Sequence, residues 1–278
     1  MITHCISTHN NLPYLKLAIE SVRLFSHYNK APFVIHAENC SDGTNKWLEE
    51  NAERYELEYY IDSNIEPKGI GGGMNFCAEK VKTKYINFLH SDFYVSKDWD
   101  IELLKVHEKY PDNKKLWVNS FRVEPNMFNS PDRVGTLLVP PDTFGGYYHD
   151  FKWDKFVEYA KQFSEQNDIE IPKGEGVSGL VRKDWWDHIG GNDKLFAPTS
   201  WDAMDLFLRM LNEGGKFIMP TRSVVYHFGA RGSHRLEENN GQSSDRQRKA
   251  EAANAQKFFS KWKGLPTFDQ YGMVKGIK

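Results

Sequence analysis

The chain is expected to be an α/β protein with a mainly parallel central sheet flanked by helices, and three observations predict this. β-favouring runs alternate with amphipathic stretches through the first third of the sequence, the joints between them are short and rich in Asn, Asp, Ser and Gly, and no internal repeat or long linker divides the 278 residues. Strands alternating with helices at this cadence imply right-handed βαβ crossovers and a sheet whose ligands bind beyond the carboxyl ends of its strands.

Taken in order, residues 2–7 form a short β-favouring run. Pro13 stands where a first helical turn tolerates it, with Asn10 and Asn11 ahead of it as candidate caps. Leu12, Leu15, Ile19, Val22 and Phe25 then recur at spacings of three and four, the stripe of a helix lying on a sheet. Residues 33–37 read as a second strand, Ser41-Asp42-Gly43 as a turn, and Trp47, Leu48 and Ala52 as the apolar face of a second helix. A third strand follows at 57–61, then a glycine-rich turn, a helix through Met74, Cys77 and Val81, and a fourth strand at 85–89. The second half is less regular. Pro and Gly break residues 125–146 into loops, an aromatic-rich helix is expected at 151–163, a strand at 177–181, and a helix at 183–189. A helix at 202–211 closes on Gly214-Gly215 and is followed by strands at 217–219 and 223–228. Residues 232–244 are polar and expected to be mobile, before a last helix bearing Ala252, Ala255, Phe258, Phe259 and Trp262.

Hydrophobic residues at 40%, charged residues at 27% and a mean hydropathy of -0.64 describe a soluble globular chain and exclude a disordered or fibrous one. No apolar run approaches the ~18 residues of a spanning helix. The first ten residues carry His4, His9 and Asn10 where a signal peptide needs an unbroken apolar segment, so a cytoplasmic location without membrane insertion is expected. Cys5, Cys40 and Cys77 match neither a disulfide framework nor a zinc knuckle and read as reduced thiols. The net charge of -2 gives no global field for a polyanion, although residues 222–263 hold nine basic side chains against four acidic, a tail suited to phosphates.

Four segments carry chemistry-bearing residues at predicted strand ends: Ser7-Thr8-His9-Asn10, Glu38-Asn39-Cys40-Ser41-Asp42-Gly43-Thr44, Lys68-Gly69 through Asn75, and residues 85–92 followed by Trp99. In this order and spacing they resemble the nucleotide-binding half of family 2-type glycosyltransferases of the GT-A (Rossmann-like) fold, closely over residues 1–100 and more loosely to about 230. The resemblance implies one domain over residues 1–230, with a nucleotide-binding half at 1–100 and an acceptor half at 101–230. Residues 231–278 would add a mobile basic loop and a C-terminal helix packing on the same domain.

It also implies a pocket for the nucleoside diphosphate of a sugar donor. Thr8 and His9 would contact the nucleoside, and Glu38 the base; a carboxylate suits uracil because it accepts from the ring N3–H. The alternative is that Glu38 caps the turn before the second helix. Lys68, Gly69 and Asn75 would contact the donor, and Gly71, Gly72 and Gly73 would let backbone approach it closely. The family's Asp-x-Asp pair is replaced here by His90-Ser91-Asp92. Asp92 would hold a divalent metal, with His227 of Tyr226-His227-Phe228-Gly229 as a second ligand. His90 would be either a third ligand or, with Ser91, a donor contact. The cofactor implied is Mn²⁺ or Mg²⁺, and imidazole favours manganese. Arg231, His234 and Arg235 would close over the diphosphate from a glycine-flanked loop.

On the acceptor side, Ser200-Trp201-Asp202-Ala203-Met204-Asp205-Leu206 resembles the family's Trp-Glu-Asp-x-Asp-Leu helix start, with Ala203 where the catalytic base usually stands. Asp202 and Asp205 are the catalytic candidates, either in direct inversion or in a retaining reaction that needs no separate base. Helix-dipole stabilisation alone is the other reading of Asp202. Gly174-Glu175-Gly176-Val177-Ser178-Gly179 would wall the sugar pocket. Trp185, Trp186 and Trp201 are candidate stacking faces for the acceptor, although one of the first two would serve equally as core. Acceptor choice is expected to lie in residues 125–146 with Tyr147 and Tyr148. The function implied is transfer of a hexosyl or pentosyl group from a nucleotide-sugar, UDP-linked, to a hydroxyl-bearing acceptor: a glycan, protein, metabolite or modified nucleic-acid base. A sugar nucleotidyltransferase ranks lower because its N-terminal glycine signature is missing between Ile2 and Pro13. A non-catalytic nucleotide-sugar or glycan binder is the third reading, motivated by His90 and Ala203.

Overall fold

The computed structural model describes residues 1–127, 129–174, 176, 178–229 and 244–278. The alternation begins with β1 (Ile2–Thr8), α1 (Leu12–Phe25), β2 (Phe33–Glu38), α2 (Thr44–Tyr55), β3 (Leu57–Asp62), α3 (Gly69–Lys80) and β4 (Tyr85–Leu89). A short strand β5 (Phe93–Val95) and α4 (Trp99–Lys109) lead into β6 (Leu116–Val118), β7 (Phe121–Pro125) and β8 (Thr136–Val139). Then come α5 (Pro141–Phe144), α6 (Trp153–Gln166), β9 (Glu170–Ile171), β10 (Gly179–Arg182), α7 (Lys183–Ile189) and α8 (Asp202–Asn212). β11 (Lys216–Pro220), β12 (Val224–His227), α9 (Asp245–Trp262), β13 (Pro266–Phe268) and β14 (Val274–Ile277) complete the order.

The main sheet runs β3-β2-β1-β4-β10-β6-β11-β9. Its first four strands pair in parallel, as βαβ crossovers require, and β10 enters antiparallel beside β4. A second sheet, β5-β12-β7-β8, was not expected from sequence. There β12 lies antiparallel to β5, with His227 opposite Phe93, and parallel to β7. This pairing carries His227 to the carboxyl end of β4.

Leu15, Ile19 and Val22 of α1 bury against the main sheet, and α4 closes the same core with Trp99 and Leu103. The expected caps act differently. Asn11 donates from Nδ2 to Ser91 Oγ at 2.9 Å, and Asn10 Oδ1 accepts from the Ser41 amide at 2.6 Å. The first amide of α1 is met instead by Asp42, whose Oδ2 accepts from Leu12 N at 2.8 Å while its Oδ1 accepts from Thr44 N at 3.1 Å. One carboxylate thus caps two helices.

The glycine-rich segment also differs from expectation, because it is the start of α3 itself. A Cβ on Gly73 would sit 2.0 Å from Ser7 Oγ. The missing side chain lets α3 lie directly on β1. The strand expected at 177–181 is β10, displaced toward its carboxyl end, and the loop region 125–146 contains β8 and α5. α9 and the β13–β14 hairpin pack on the second core cluster through Phe258, Met273 and Val274. Cys5, Cys40 and Cys77 carry free thiols, and among the described residues no helix is long and apolar enough to cross a membrane.

Candidate metal and donor site

Three strand ends converge on one cluster. One ligand atom each from His90, Asp92 and His227 lie within 4.8 Å of one another. Asp92 Oδ1 is 3.8 Å from His90 Nδ1 and 3.5 Å from His227 Nε2, and the two imidazole rings lie 5.0 Å apart. The backbone pins the arrangement, since Phe228 N donates to the Asp92 carbonyl at 3.2 Å.

Charge is shared unevenly across it. Burial opposes ionisation of Asp92, but the adjacent His227 outweighs it and holds the carboxyl down at about 2. Burial likewise disfavours a charged His227, yet Asp92 and Glu124 on either side lift its pKa to about 9. His90, half-buried, desolvated and facing the His227 charge, falls to about 3 and is neutral at physiological pH. Two imidazoles and one carboxylate brought within reach of one another fit a divalent cation, and nitrogen donors suit Mn²⁺ better than the all-oxygen sites typical of Mg²⁺.

Around the cluster the donor candidates divide. Thr8 is buried at the end of β1, and its Oγ1 has no hydrogen-bond partner among the described residues. His9 Nδ1 lies 2.6 Å from the Glu38 carbonyl, and Ser91 Oγ is held by Asn11. Glu38 neither stands open for a base nor caps the second helix. Its Oε1 accepts from Lys68 N at 2.8 Å and Asn64 Nδ2 at 3.1 Å, and its Oε2 from Gly69 N at 2.9 Å, so it anchors the start of α3. The Lys68 ammonium is paired with Asp62 and lies 4.9 Å from the Phe76 ring centre. A second group, His36, Glu38 and Asp62, also has metal-like proximity, but these same amides and the Lys68 ammonium already satisfy its carboxylates.

Gly69 and Asn75 are corrected to structural roles. A Cβ on Gly69 would meet the Pro198 carbonyl at 1.7 Å, so it is protein rather than ligand that crowds it. Asn75 acts as a backbone mimic: its Nδ2 donates to Asn192 O and its Oδ1 accepts from Asn192 N, both at 2.8 Å. This double bond clips the 190–192 loop onto α3.

The acceptor candidates change more. Trp185 and Trp186 are buried at 4% and 3% exposure in the second core cluster, where Trp186 packs on Phe88 at 4.6 Å, so neither offers a stacking face. Trp201 is half-buried and packs on Phe258 at 4.9 Å. Asp205 is fully buried and accepts from Arg209 Nε at 2.8 Å and Trp262 Nε1 at 2.9 Å, with Lys261 Nζ at 2.5 Å. Those partners make it a lock between α8 and α9 rather than a reacting group. Asp202 differs: it faces Gly71, whose Cβ would lie 2.8 Å from Asp202 Oδ2, and burial raises its carboxyl pKa. The neighbouring position 203 is closed, because a Cβ on Gly176 would already lie 2.4 Å from Ala203 Cβ. Arg231, His234, Arg235, Glu175 and Val177 lie outside the described residues.

Sequence reading missed Glu124, on which His227 Nδ1 rests at 2.7 Å. A signal was present in sequence, since Arg122 and Glu124 alternate with Phe121 and Val123 in a short run; the structure buries both charged side chains.

Residues 3–140 match the sequence model of glycosyl transferase family 2. No curated protein matches the chain in sequence. Among solved structures, it resembles GalNAc-T7 with UDP, GalNAc and Mn²⁺ at TM-score 0.60 and 12% identity, covering 82% of this chain and 43% of that one. S. aureus TarS aligns at TM-score 0.56 and 11% identity over 81% of this chain and 36% of its own. TarS 1–349 in complex with UDP aligns at 0.53 and 13% over 81% and 59%. The chain therefore spans less than two thirds of each of these neighbours. Through residues 3–140 it belongs to glycosyl transferase family 2, and its mixed α/β architecture with a mainly parallel sheet is that of the GT-A fold.

Proposed function

We propose that the chain is a metal-dependent glycosyltransferase that moves a sugar from a nucleotide donor, a UDP-sugar, to an acceptor hydroxyl. The observation that carries this reading is the Asp92, His90 and His227 cluster at the carboxyl end of β4, next to β1 in the sheet. Asp92 and His227 would hold the cation, with His90 the third donor. A bound Mn²⁺ would offset the negative charge that gathers on the departing diphosphate, an effect worth several kcal/mol of barrier.

The chain's own groups then have separable tasks. Thr8 and His9 at the end of β1 are the proposed nucleoside contacts, and Arg231, His234 and Arg235, which follow His227 in sequence, the proposed diphosphate contacts. Asp202, with its raised carboxyl pKa, is the group proposed to accept the acceptor's proton. Asp205, tied to Lys261 and Arg209, is left to hold α8 in place.

The test is nucleotide binding with and without Mn²⁺, read by thermal shift and calorimetry. A ligand at 100 times its Kd stabilises the folded state by about 2.7 kcal/mol. UDP and one UDP-sugar should do so only with Mn²⁺ present, and turnover should release UDP. Release of pyrophosphate from a sugar phosphate and UTP would instead support nucleotidyl transfer, and no stabilisation by any nucleotide would overturn the reading.

A further inference from the structure

β7 and β12 run parallel with Arg122 opposite Val225 and Val123 opposite Tyr226. The next residues on the two strands, Glu124 and His227, therefore meet side by side. His227 Nδ1 lies 2.7 Å from Glu124 Oε1, while its Nε2 faces Asp92 Oδ1 at 3.5 Å. The imidazole thus has one nitrogen committed to a carboxylate and the other turned into the cluster.

Glu124 is itself held firmly. It is 5% exposed, Arg122 Nη1 lies 3.7 Å from its Oε1, and Arg133 pairs with its Oε2. Two guanidiniums hold the carboxylate in place and stop it from turning away. The Phe93 ring, 5.0 Å from that of His227 and nearly perpendicular to it, closes another side.

We infer that Glu124 is the positioning residue of the cation site: it accepts the Nδ1–H of His227, fixes the plane of the ring, and so leaves Nε2, the nitrogen on the Asp92 side, as the one presented to a metal. Resting on the functional reading above, this assigns a role to a residue outside the His-Ser-Asp segment and outside the late histidine motif. The physical basis is general. A ligating histidine whose other ring nitrogen donates to a carboxylate is both oriented and made more basic, and loss of such a partner costs 10–100-fold in metal affinity. A purely structural Glu124, serving only to neutralise Arg122 and Arg133, would affect folding and leave metal affinity alone.

The experiment is Mn²⁺ titration of the full chain, following loss of the free Mn²⁺ signal by electron paramagnetic resonance, for wild type, Glu124→Gln and Glu124→Asp. Glu124→Gln keeps shape and removes the charge; it should bind Mn²⁺ roughly 10–100-fold more weakly. UDP binding should return to the wild-type affinity once Mn²⁺ is saturating, because only the metal requirement has moved. Glu124→Asp keeps the charge but withdraws it by one methylene, and should fall between the two. If Glu124→Gln unfolds because two arginines lose their partner, the Glu124→Asp titration decides: weakened Mn²⁺ binding with a wild-type melting curve supports the assignment. Mn²⁺ affinity within twofold of wild type in whichever folded variant is measured overturns it. A wild-type chain that binds no Mn²⁺ overturns the functional reading as well, which separates the two failures.

Discussion

Gly71 and Asp202 meet across the join between the family-matched segment and the remainder of the chain: a Cβ on Gly71 would lie 2.8 Å from Asp202 Oδ2 and 3.1 Å from Asn192 Cβ. The glycine-rich start of α3 is therefore packed against the beginning of α8, and the Asn75–Asn192 clip keeps it there. The proposed base on α8 and the start of α3 are set in register by a missing methyl group.

Two alanine substitutions separate space for stability from space for chemistry. In Gly73→Ala the new methyl meets Ser7 on β1 at 2.0 Å, where helix or strand must shift. Such overpacking costs typically 1–3 kcal/mol and lowers Tm by roughly 2–4 °C for each kcal/mol in a domain approaching this size. In Gly71→Ala the nearest atom is the far end of a carboxylate, which can rotate, and alanine recovers about 0.5–1 kcal/mol of helix propensity. Its Tm should stay near wild type while acceptor-dependent UDP release falls. Equal Tm losses in the two variants would disprove the distinction.

Asp92→Asn removes a ligand rather than a ligand's support. The metal-free fold, followed by circular dichroism, should persist, since Glu124 still neutralises His227. Mn²⁺ affinity should drop by more than about 100-fold, beyond the range that orienting partners control. Wild-type Mn²⁺ affinity by calorimetry would remove Asp92 from the site.

The parallel half of the fold was legible because its strands are runs of five to seven residues and α1 carries a clean apolar stripe. The second sheet was not, because β5 has three residues and its pairing with β12 joins segments more than a hundred positions apart. The metal candidates Asp92 and His227 could be read from motif resemblance, and the fold brings them together. Polar residues satisfied by partners distant in sequence could not. Asn75 finds Asn192 at a separation of 117 residues, and Asp205 finds Trp262 at 57. A glycine cluster reads the same whether it admits a ligand or, as at Gly69 and Gly73, a neighbouring segment of protein.

Asp202 and Asp205 should respond oppositely to the same change. Asp205→Asn leaves Lys261 and Arg209 without their shared buried carboxylate, and breaking such a pair costs about 3–5 kcal/mol. Asp202→Asn removes a charge whose burial already disfavours ionisation, so Tm should hold or rise. Its effect belongs in the rate: acceptor-dependent UDP release should fall about 10²–10⁴-fold with UDP affinity unchanged. Full activity in Asp202→Asn would exclude it as the base.

Acid sensitivity should come first from histidines whose pKa is depressed, His90 in the cluster and two others away from it. His4 is fully buried and depressed to about 3, and His107, buried beneath β10 with Nε2 3.3 Å from the Leu180 carbonyl, is depressed to about 4. Burial is the main cause in both, because a charged imidazole there would lose its hydration. Each binds a proton in the unfolded chain near pH 6.5 but stays neutral when folded. Their stabilisation is therefore complete above pH 6.5 and is lost as pH falls toward the folded values. The lowered carboxyls of Asp92 and Glu124 act in the same direction, but only once pH drops below their ordinary values near 4. His227, raised to about 9, acts in the opposite sense and stabilises fully below 6.5, so it adds no slope in this window. Between pH 6.5 and 4.5 the loss is then a histidine effect, approaching about 1.4 kcal/mol per pH unit for each such group. Urea unfolding across that range should show a shallower slope in His107→Gln, which retains a donor for Leu180 but cannot take up the proton. The slope is the readout because repacking changes the intercept; an identical slope in the variant would exclude His107 from acid unfolding.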